Sequence, residues 1–174
     1  SSKQSRLQYL ESDKSVFFPA HFQNTSEHED LQISLMAINP FANTDYGYIA
    51  ANAIDINAKT DITNTDSQIE SSTVLNLVAE TGDITNSSAS AEVNTLLYAS
   101  GNVTLSAGTG ISNSGSIESG QGVDISAKTL SNEGGVYSGT TIQATLSDAF
   151  DNQGTIDAGT DITLQNQDQG AIAT

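Results

Sequence analysis

The sequence predicts an all-β protein, a right-handed parallel β-helix wound as a solenoid of about six coils of about 20 residues each. Three observations predict it. A short apolar-x-Asn phrase recurs along the chain, an alternating strand precedes each copy, and a second short strand follows. No stretch of the repeat region shows the 3.6-residue apolar period of a helix, which sets aside the helical repeat families.

The phrase reads "DITN" (61–64), "DITN" (83–86), "GISN" (110–113), "TLSN" (129–132) and "AFDN" (149–152). Its asparagines Asn64, Asn86, Asn113, Asn132 and Asn152 follow one another at steps of 22, 27, 19 and 20 residues. The preceding strands are "AIDINAKT" (53–60), "VLNLVAET" (74–81), "NVTLSAGT" (102–109), "GVDISAKT" (122–129), "TIQATLSD" (141–148) and "DITLQNQD" (161–168). After the asparagines come "QIESS" (68–72), "SIESG" (116–120), "VYSGT" (136–140) and "TIDAG" (155–159), with "YIAA" (48–51) and "LYASG" (97–101) in the same slot.

One such coil buries too little apolar surface to offset the entropy of ordering it, so the coils must stack. Stacking places Ile54, Leu75, Val103, Val123, Ile142 and Ile162 in one interior column. Neighbouring coils then pair as parallel strands about 4.8 Å apart, and six coils make a rod on the order of 30 Å long. Right-handedness follows the preference of parallel crossovers. The asparagines are expected to form a structural ladder, each amide bonding its neighbour or the turn backbone. Gly101, Gly120, Gly139 and Gly159 fall at turns, where a positive φ costs glycine little.

The beat breaks twice. The step from Leu75 to Val103 is 28 residues, which places about eight extra in an insertion near 87–95. Insertions in solenoids emerge as loops on one face; Glu92, Val93 and nearby Tyr98 are the residues there with recognition character. Residues 1–45 show no repeat and form a first unit, against 46–174 for the helix. That block holds Phe17, Phe18, Phe22 and Phe41, both prolines, both histidines and the only methionine. "SVFF" (15–18) and "LQISLMAI" (31–38) read as strands joined by the polar turn "QNTSEHED" (23–30), a cap or flanking hairpin covering the open end of the solenoid. The alternative is a recognition element presenting Phe17 and Phe18 to a partner.

The chain carries 21 acidic and 5 basic side chains, a net charge of −16. Such an excess argues against nucleic acid, which needs clustered Lys and Arg, and against docking on an anionic membrane. No apolar run reaches the length of a spanning helix, so membrane insertion is not expected. Cysteine is absent, which excludes disulfides and thiolate metal sites. The opening "SSKQS" has no initiator Met and reads as part of a longer chain.

Some β-helices cleave acidic polysaccharides, with carboxylates converging beside a cation that steadies the sugar acid. Residues 46–174 hold 15 acids but only Lys59 and Lys128, which occupy the same repeat slot. His21 and His28, the latter within "EHED", match no zinc spacing. No catalytic, cofactor or metal residue is assigned, and the chain is not expected to be an enzyme.

The phrases "LSNEGGVYSGTTIQATL" (130–146) and "FDNQGTIDAGTDITL" (150–164) resemble repeats of the filamentous haemagglutinin family. In those repeats an apolar-x-Asn-x-Gly-x-Ile/Leu stretch leads into a glycine turn and a second strand. The resemblance covers 46–174 and is strongest from 101 onward. It implies a very large bacterial exoprotein, secreted or held at the cell surface, and exported through an outer-membrane two-partner transporter. Adhesins and contact-dependent growth-inhibition proteins are both members. The expectation is a monomeric shaft segment without cofactor, which presents or forms a surface for cell adhesion. Its partner would be a receptor or glycan on a host or a neighbouring bacterium. The runners-up are a receptor- or glycan-binding module using 87–95 and the aromatic N-terminal block, and a polysaccharide-active enzyme.

Overall fold

The computed structural model describes residues 9–12, 16–17, 32–90 and 92–167, with side chains from residue 32 onward, and among them there is no helix. The chain winds as a parallel β-solenoid. Strands β1 (Tyr9–Ser12) and β2 (Val16–Phe17) come first, then β3 (Gln32–Ala37), β4 (Phe41–Asn43) and β5 (Tyr48–Ala51) form a three-strand coil. The next coils are β6 (Ala53–Ala58), β7 (Ile62–Thr65) and β8 (Gln68–Ser71), then β9 (Leu75–Ala79), β10 (Ile84–Ser87) and β11 (Leu96–Ala99), then β12 (Val103–Ala107), β13 (Gly110–Asn113) and β14 (Ser116–Ser119). In the following two coils the first two strands run on through the corner as one, giving β15 (Val123–Asn132) with β16 (Gly135–Ser138), and β17 (Thr141–Asn152) with β18 (Thr155–Ala158). A register shift between Ala127 and Thr129 marks that corner. Strand β19 (Asp161–Asn166) starts a further coil.

Each coil contributes one strand to each of three faces. The first face stacks β3, β6, β9, β12, the front of β15, the front of β17 and β19; the second stacks β4, β7, β10, β13 and the backs of β15 and β17. The third is a separate sheet ordered β18-β16-β14-β11-β8-β5. Because side chains alternate along a strand, one residue in two points inward, and parallel in-register pairing puts like on like. Ile54, Leu75, Val103, Val123, Ile142 and Ile162 are paired in that order, and Ile33 precedes them. Phe41, Ile62, Ile84, Ile111, Leu130 and Phe150 make the matching column of the second face, and all are buried. At the last rung, where no described strand follows β19, Ile162 is 49% exposed.

Residues 32–43 belong to the solenoid, not to the N-terminal block expected to run to residue 45. Ile33, Leu35 and Ala37 lie in register with Ile54, Ile56 and Ala58, and Phe41 and Asn43 with Ile62 and Asn64. The flanking hairpin is also replaced, because an antiparallel pair would break this register. Strand β3 pairs in parallel with β1 and β6, and β2 pairs in parallel with β4. Phe18, His21, Phe22, His28 and the 23–30 turn lie outside the described residues.

The glycines have a different reason from the one the turns predicted. No described glycine has a positive φ. At Gly120, Gly139 and Gly159 the coils approach so closely that a Cβ would run into the carbonyl oxygen of Ser100, Gly120 or Gly139 in the preceding coil. Close backbone contact, rather than a left-handed conformation, excludes a side chain there.

The asparagines make a continuous amide chain. Each Nδ2 donates to the Oδ1 one coil on, from Asn43 to Asn64, Asn86 and Asn113 and then to Asn132 at 2.8 Å, and from Asn132 to Asn152 at 2.7 Å. The second amide proton goes to backbone carbonyls, as from Asn113 to Gly115 and Gly135 at 3.2 and 3.1 Å. Asn43 through Asn132 are buried, so each bond is made away from competing water. We expect Asn113→Ala to lower stability by about 2–3 kcal/mol, because it leaves the buried Oδ1 of Asn132 without its donor. Asn152→Ala, at the exposed end, is expected to lower it by less than about 1 kcal/mol. Denaturant midpoints check this, and equal losses at the two positions would show that the ladder does not act through burial.

Candidate recognition face

The register that stacks the core also stacks the surface. On the third face the outward column reads Ala50, Glu70, Tyr98, Glu118, Tyr137 and Asp157, one residue per coil. Carboxylate and tyrosine therefore alternate up the rod, and Tyr48 stands beside them, one outward position earlier on β5. Four tyrosines have described side chains, Tyr46, Tyr48, Tyr98 and Tyr137, and all four lie on this face or on the turn leading into it. On the first face the corresponding outward column runs Ser34, Asp55, Asn76, Thr104, Asp124 and Gln143, with no aromatic among these six, and Tyr9 of β1 is in register with Ser34 at its start.

Several of these groups are held in place. The Tyr48 hydroxyl donates to Glu70 Oε2 at 2.6 Å. Burial, then that hydrogen bond and the Glu70 charge, push the Tyr48 phenol up to about 12. Ser116 Oγ donates to Glu118 Oε1 at 2.7 Å. The Tyr137 ring lies down over Gly135, where any Cβ would strike it, and it remains 39% exposed. Glycine at 135 thus provides the seat for a flat aromatic ring. Between Tyr48 and Tyr98 is a cleft of 270 Å3 floored by Ala50 and Glu70.

A second cleft, of 340 Å3, adjoins it on the far side of Tyr48 and is walled by Tyr46, Asp66, Gln68, Val93 and Asn94. Its wall is the eight-residue connection 88–95, where the coil before uses only residues 66–67 and the coil after only 114–115. The loop is anchored. Asp66 Oδ1 accepts from the backbone N–H of Ala89 and Ser90 at 2.9 and 3.3 Å. Ser88 Oγ bonds Val93 O at 3.1 Å and Thr95 Oγ1 at 3.2 Å, and Gln68 Nε2 donates to Asn94 O at 3.0 Å.

Backbone strain collects at the same place. Asp45, Tyr46 and Asp66 are the only described non-glycine residues with positive φ, at 58°, 61° and 47°. Asp45 and Tyr46 are the central pair of a turn closed by Gly47 N–H to Thr44 O at 3.1 Å, a conformation that ordinarily falls to Asn and Gly. A left-handed tyrosine costs on the order of 1 kcal/mol. Here it leaves the ring 67% exposed at the rim of a cleft, and strain of this kind gathers where function is.

Of the residues singled out from sequence, Tyr98 lies in the carboxylate–tyrosine column and Val93 lines the second cleft. Glu92 is exposed on the loop. Phe17 is in β2, beside Ala42 of the second face, and its side chain is not described. Sequence reasoning missed Tyr46, Tyr48, Glu70, Glu118, Tyr137 and Asp157. For Glu70, Glu118, Tyr137 and Asp157 the signal was present in the third residue of "QIES", "LLYA", "SIES", "GVYS" and "TIDA", which reads Glu, Tyr, Glu, Tyr, Asp once the strands are aligned.

Among the described residues no cation stands beside these carboxylates. Lys59 and Lys128 are the only basic residues within the described range, and both lie at the corner between the first and second faces. Lys59 bonds Glu80 at 2.8 Å and holds that exposed carboxyl below its usual range. Among the described residues no three histidine or carboxylate side chains converge as metal ligands.

The haemagglutinin repeat family model matches residues 49–88 and 89–171, more than two thirds of the chain. No curated protein and no solved structure matches.

Tyr48 yields a pH prediction. Its folded pKa of about 12 lies above the ordinary 10, so its contribution to stability is complete below pH 10 and is lost as pH rises through 12. Tyrosinate absorbance of the folded protein should include a late-titrating contribution from Tyr48, and Tyr48→Phe should remove that contribution. A variant curve that loses only amplitude near pH 10 would contradict the assignment.

Proposed function

This chain belongs to the haemagglutinin repeat family, and from that premise we propose that it is a non-catalytic segment of the shaft of a large bacterial exoprotein, with the tyrosine-bearing face as its contact surface. Proteins with this repeat are typically secreted or cell-surface exoproteins. In this reading the parent leaves the cell through an outer-membrane two-partner transporter and serves as an adhesin or a contact-dependent growth-inhibition protein. Both need a stiff shaft. Stacked coils supply stiffness, since bending would break interstrand hydrogen bonds on one face. The net charge of −16 keeps neighbouring shafts apart.

The observation that carries the contact surface is the gathering of the four tyrosines with described side chains on one of three faces or on the turn leading into it, beside a pinned insertion and a strained turn. A spacer alone would have no reason to hold Tyr46 in a left-handed turn. Tyrosine is also the kind of residue on which binding energy concentrates, because it buries a large rigid surface at small entropic cost. A polysaccharide-cleaving reading gains nothing from this face, where none of the described residues is a cation that could steady a sugar acid.

Binding of the labelled full chain to bacterial and epithelial cells tests the reading. The unaltered chain should bind saturably, and a Tyr46→Asn, Tyr98→Ser, Tyr137→Ser triple variant should bind about tenfold or more weakly. Tyr46→Asn by itself should also raise the stability by about 1 kcal/mol as the strain is relieved. A folded triple variant that binds undiminished would remove the third face from the contact, and no saturable binding by either chain would leave a spacer.

A further inference from the structure

Among the described residues, the carboxylates of the third face have no cationic partner. Parallel stacking spaces successive rungs by about 4.8 Å, so Tyr98 lies between Glu70 and Glu118, and Tyr137 between Glu118 and Asp157. Carboxylates two rungs apart are about 10 Å from each other, a little over the screening length at physiological salt, so each acts largely as a separate negative site. The face of a tyrosine ring is itself the negative pole of its quadrupole and attracts a cation. Tyr137, whose ring reaches over Gly135, remains 39% exposed. Everything along this column favours a positive group, and the chain places none of its own described lysines there.

We propose that the Glu70–Tyr98–Glu118–Tyr137–Asp157 column binds an extended basic peptide segment, with one Lys or Arg seated on each tyrosine between its flanking carboxylates. The inference rests on the third face being a contact surface and adds the chemistry of its partner. Spacing narrows the partner further. Tyr98 and Tyr137 are two rungs apart, about 9.6 Å. A polyproline II segment returns to the same side every third residue, about 9.3 Å on, whereas a β-strand returns after about 6.8 Å. Cations at every third position of a proline-rich segment lying along the rod therefore meet both rings. Addition of the peptide as a strand is not the mode, since β8, β11, β14 and β16 already have neighbours on both sides.

Fluorescence anisotropy with the full chain tests this, using labelled peptides of repeated Pro-Pro-Arg, the same peptides with Gln for Arg, and peptides of equal charge with Arg at every second position. The Pro-Pro-Arg peptide should bind best and the Gln peptide not at all. Tyr98→Leu and Tyr137→Leu, which leave the net charge unchanged, should each weaken binding roughly fivefold. Glu118→Gln should weaken it more than Asp55→Asn or Asp124→Asn, which remove the same charge from the first face. Retained circular dichroism and melting temperature would confirm that each variant folds. Equal losses from the two faces, or none from the tyrosine variants, would overturn the proposal and leave only diffuse attraction to an acidic rod. Tyrosine-dependent binding of a neutral oligosaccharide, with no preference among the peptides, would overturn the basic partner yet keep the contact surface. The cell-binding comparison of the tyrosine triple variant decides that surface independently.

Discussion

The structure depends on registration between coils, and the asparagine ladder is the interaction that enforces it most strictly. A primary amide has an acceptor and a donor side by side, so a stack of asparagines at rung spacing can pass one hydrogen bond upward through each member. From Asn43 to Asn152 this chain of bonds is unbroken, with every link at 2.7 or 2.8 Å. A slip of one residue in any coil would turn its asparagine outward and leave two buried amides unpaired. An isoleucine column tolerates a small shift; a buried amide column does not.

Once register is set, the rest of the cross-section follows. Narrow interior columns, three from the first face and one each from the second and third, suffice to make a core from a chain of only 36% apolar residues, because each Ile or Leu is covered by an equivalent residue above and below. Coils come close enough at Gly120, Gly139 and Gly159 that backbone lies against backbone. Several polar residues that reach inside are satisfied along the same axis, as when Ser71 Oγ donates to Asn52 O at 2.9 Å. The same registration works outward, turning a Glu, Tyr, Glu, Tyr, Asp order in five separate strands into a single column on the surface.

Departures from the repeat gather in one neighbourhood. The 88–95 connection is the longest turn after a second-face strand among the described coils, and it leans on Asp66, itself in a left-handed conformation. The left-handed Tyr46 faces it across the adjoining cleft. A solenoid is a good scaffold for such exceptions, because each coil contacts only its neighbours and an insertion in one leaves distant coils undisturbed.

By itself, the sequence determined the fold class, the strand positions from residue 46 onward and the identity of the ladder. Those are carried by local alternation and by a phrase that recurs at a near-constant interval, and both survive in a linear chain. It did not disclose the coil at 32–43, since "FAN" lacks the Ser, Thr or Asp that marks the other phrases and the aromatic surroundings resemble a cap. Nor did it disclose the candidate face. Tyr98 and Val93 were legible as isolated residues near an insertion, but Glu70, Glu118, Tyr137 and Asp157 are separated by about 20 residues each and have no local signature. Only the stacking of coils makes them neighbours, and only the tertiary structure shows Tyr46 held out at a strained turn. Periodicity along the chain specifies what each coil is; the pairing of coils decides what stands beside what, and function on a solenoid surface belongs to the second.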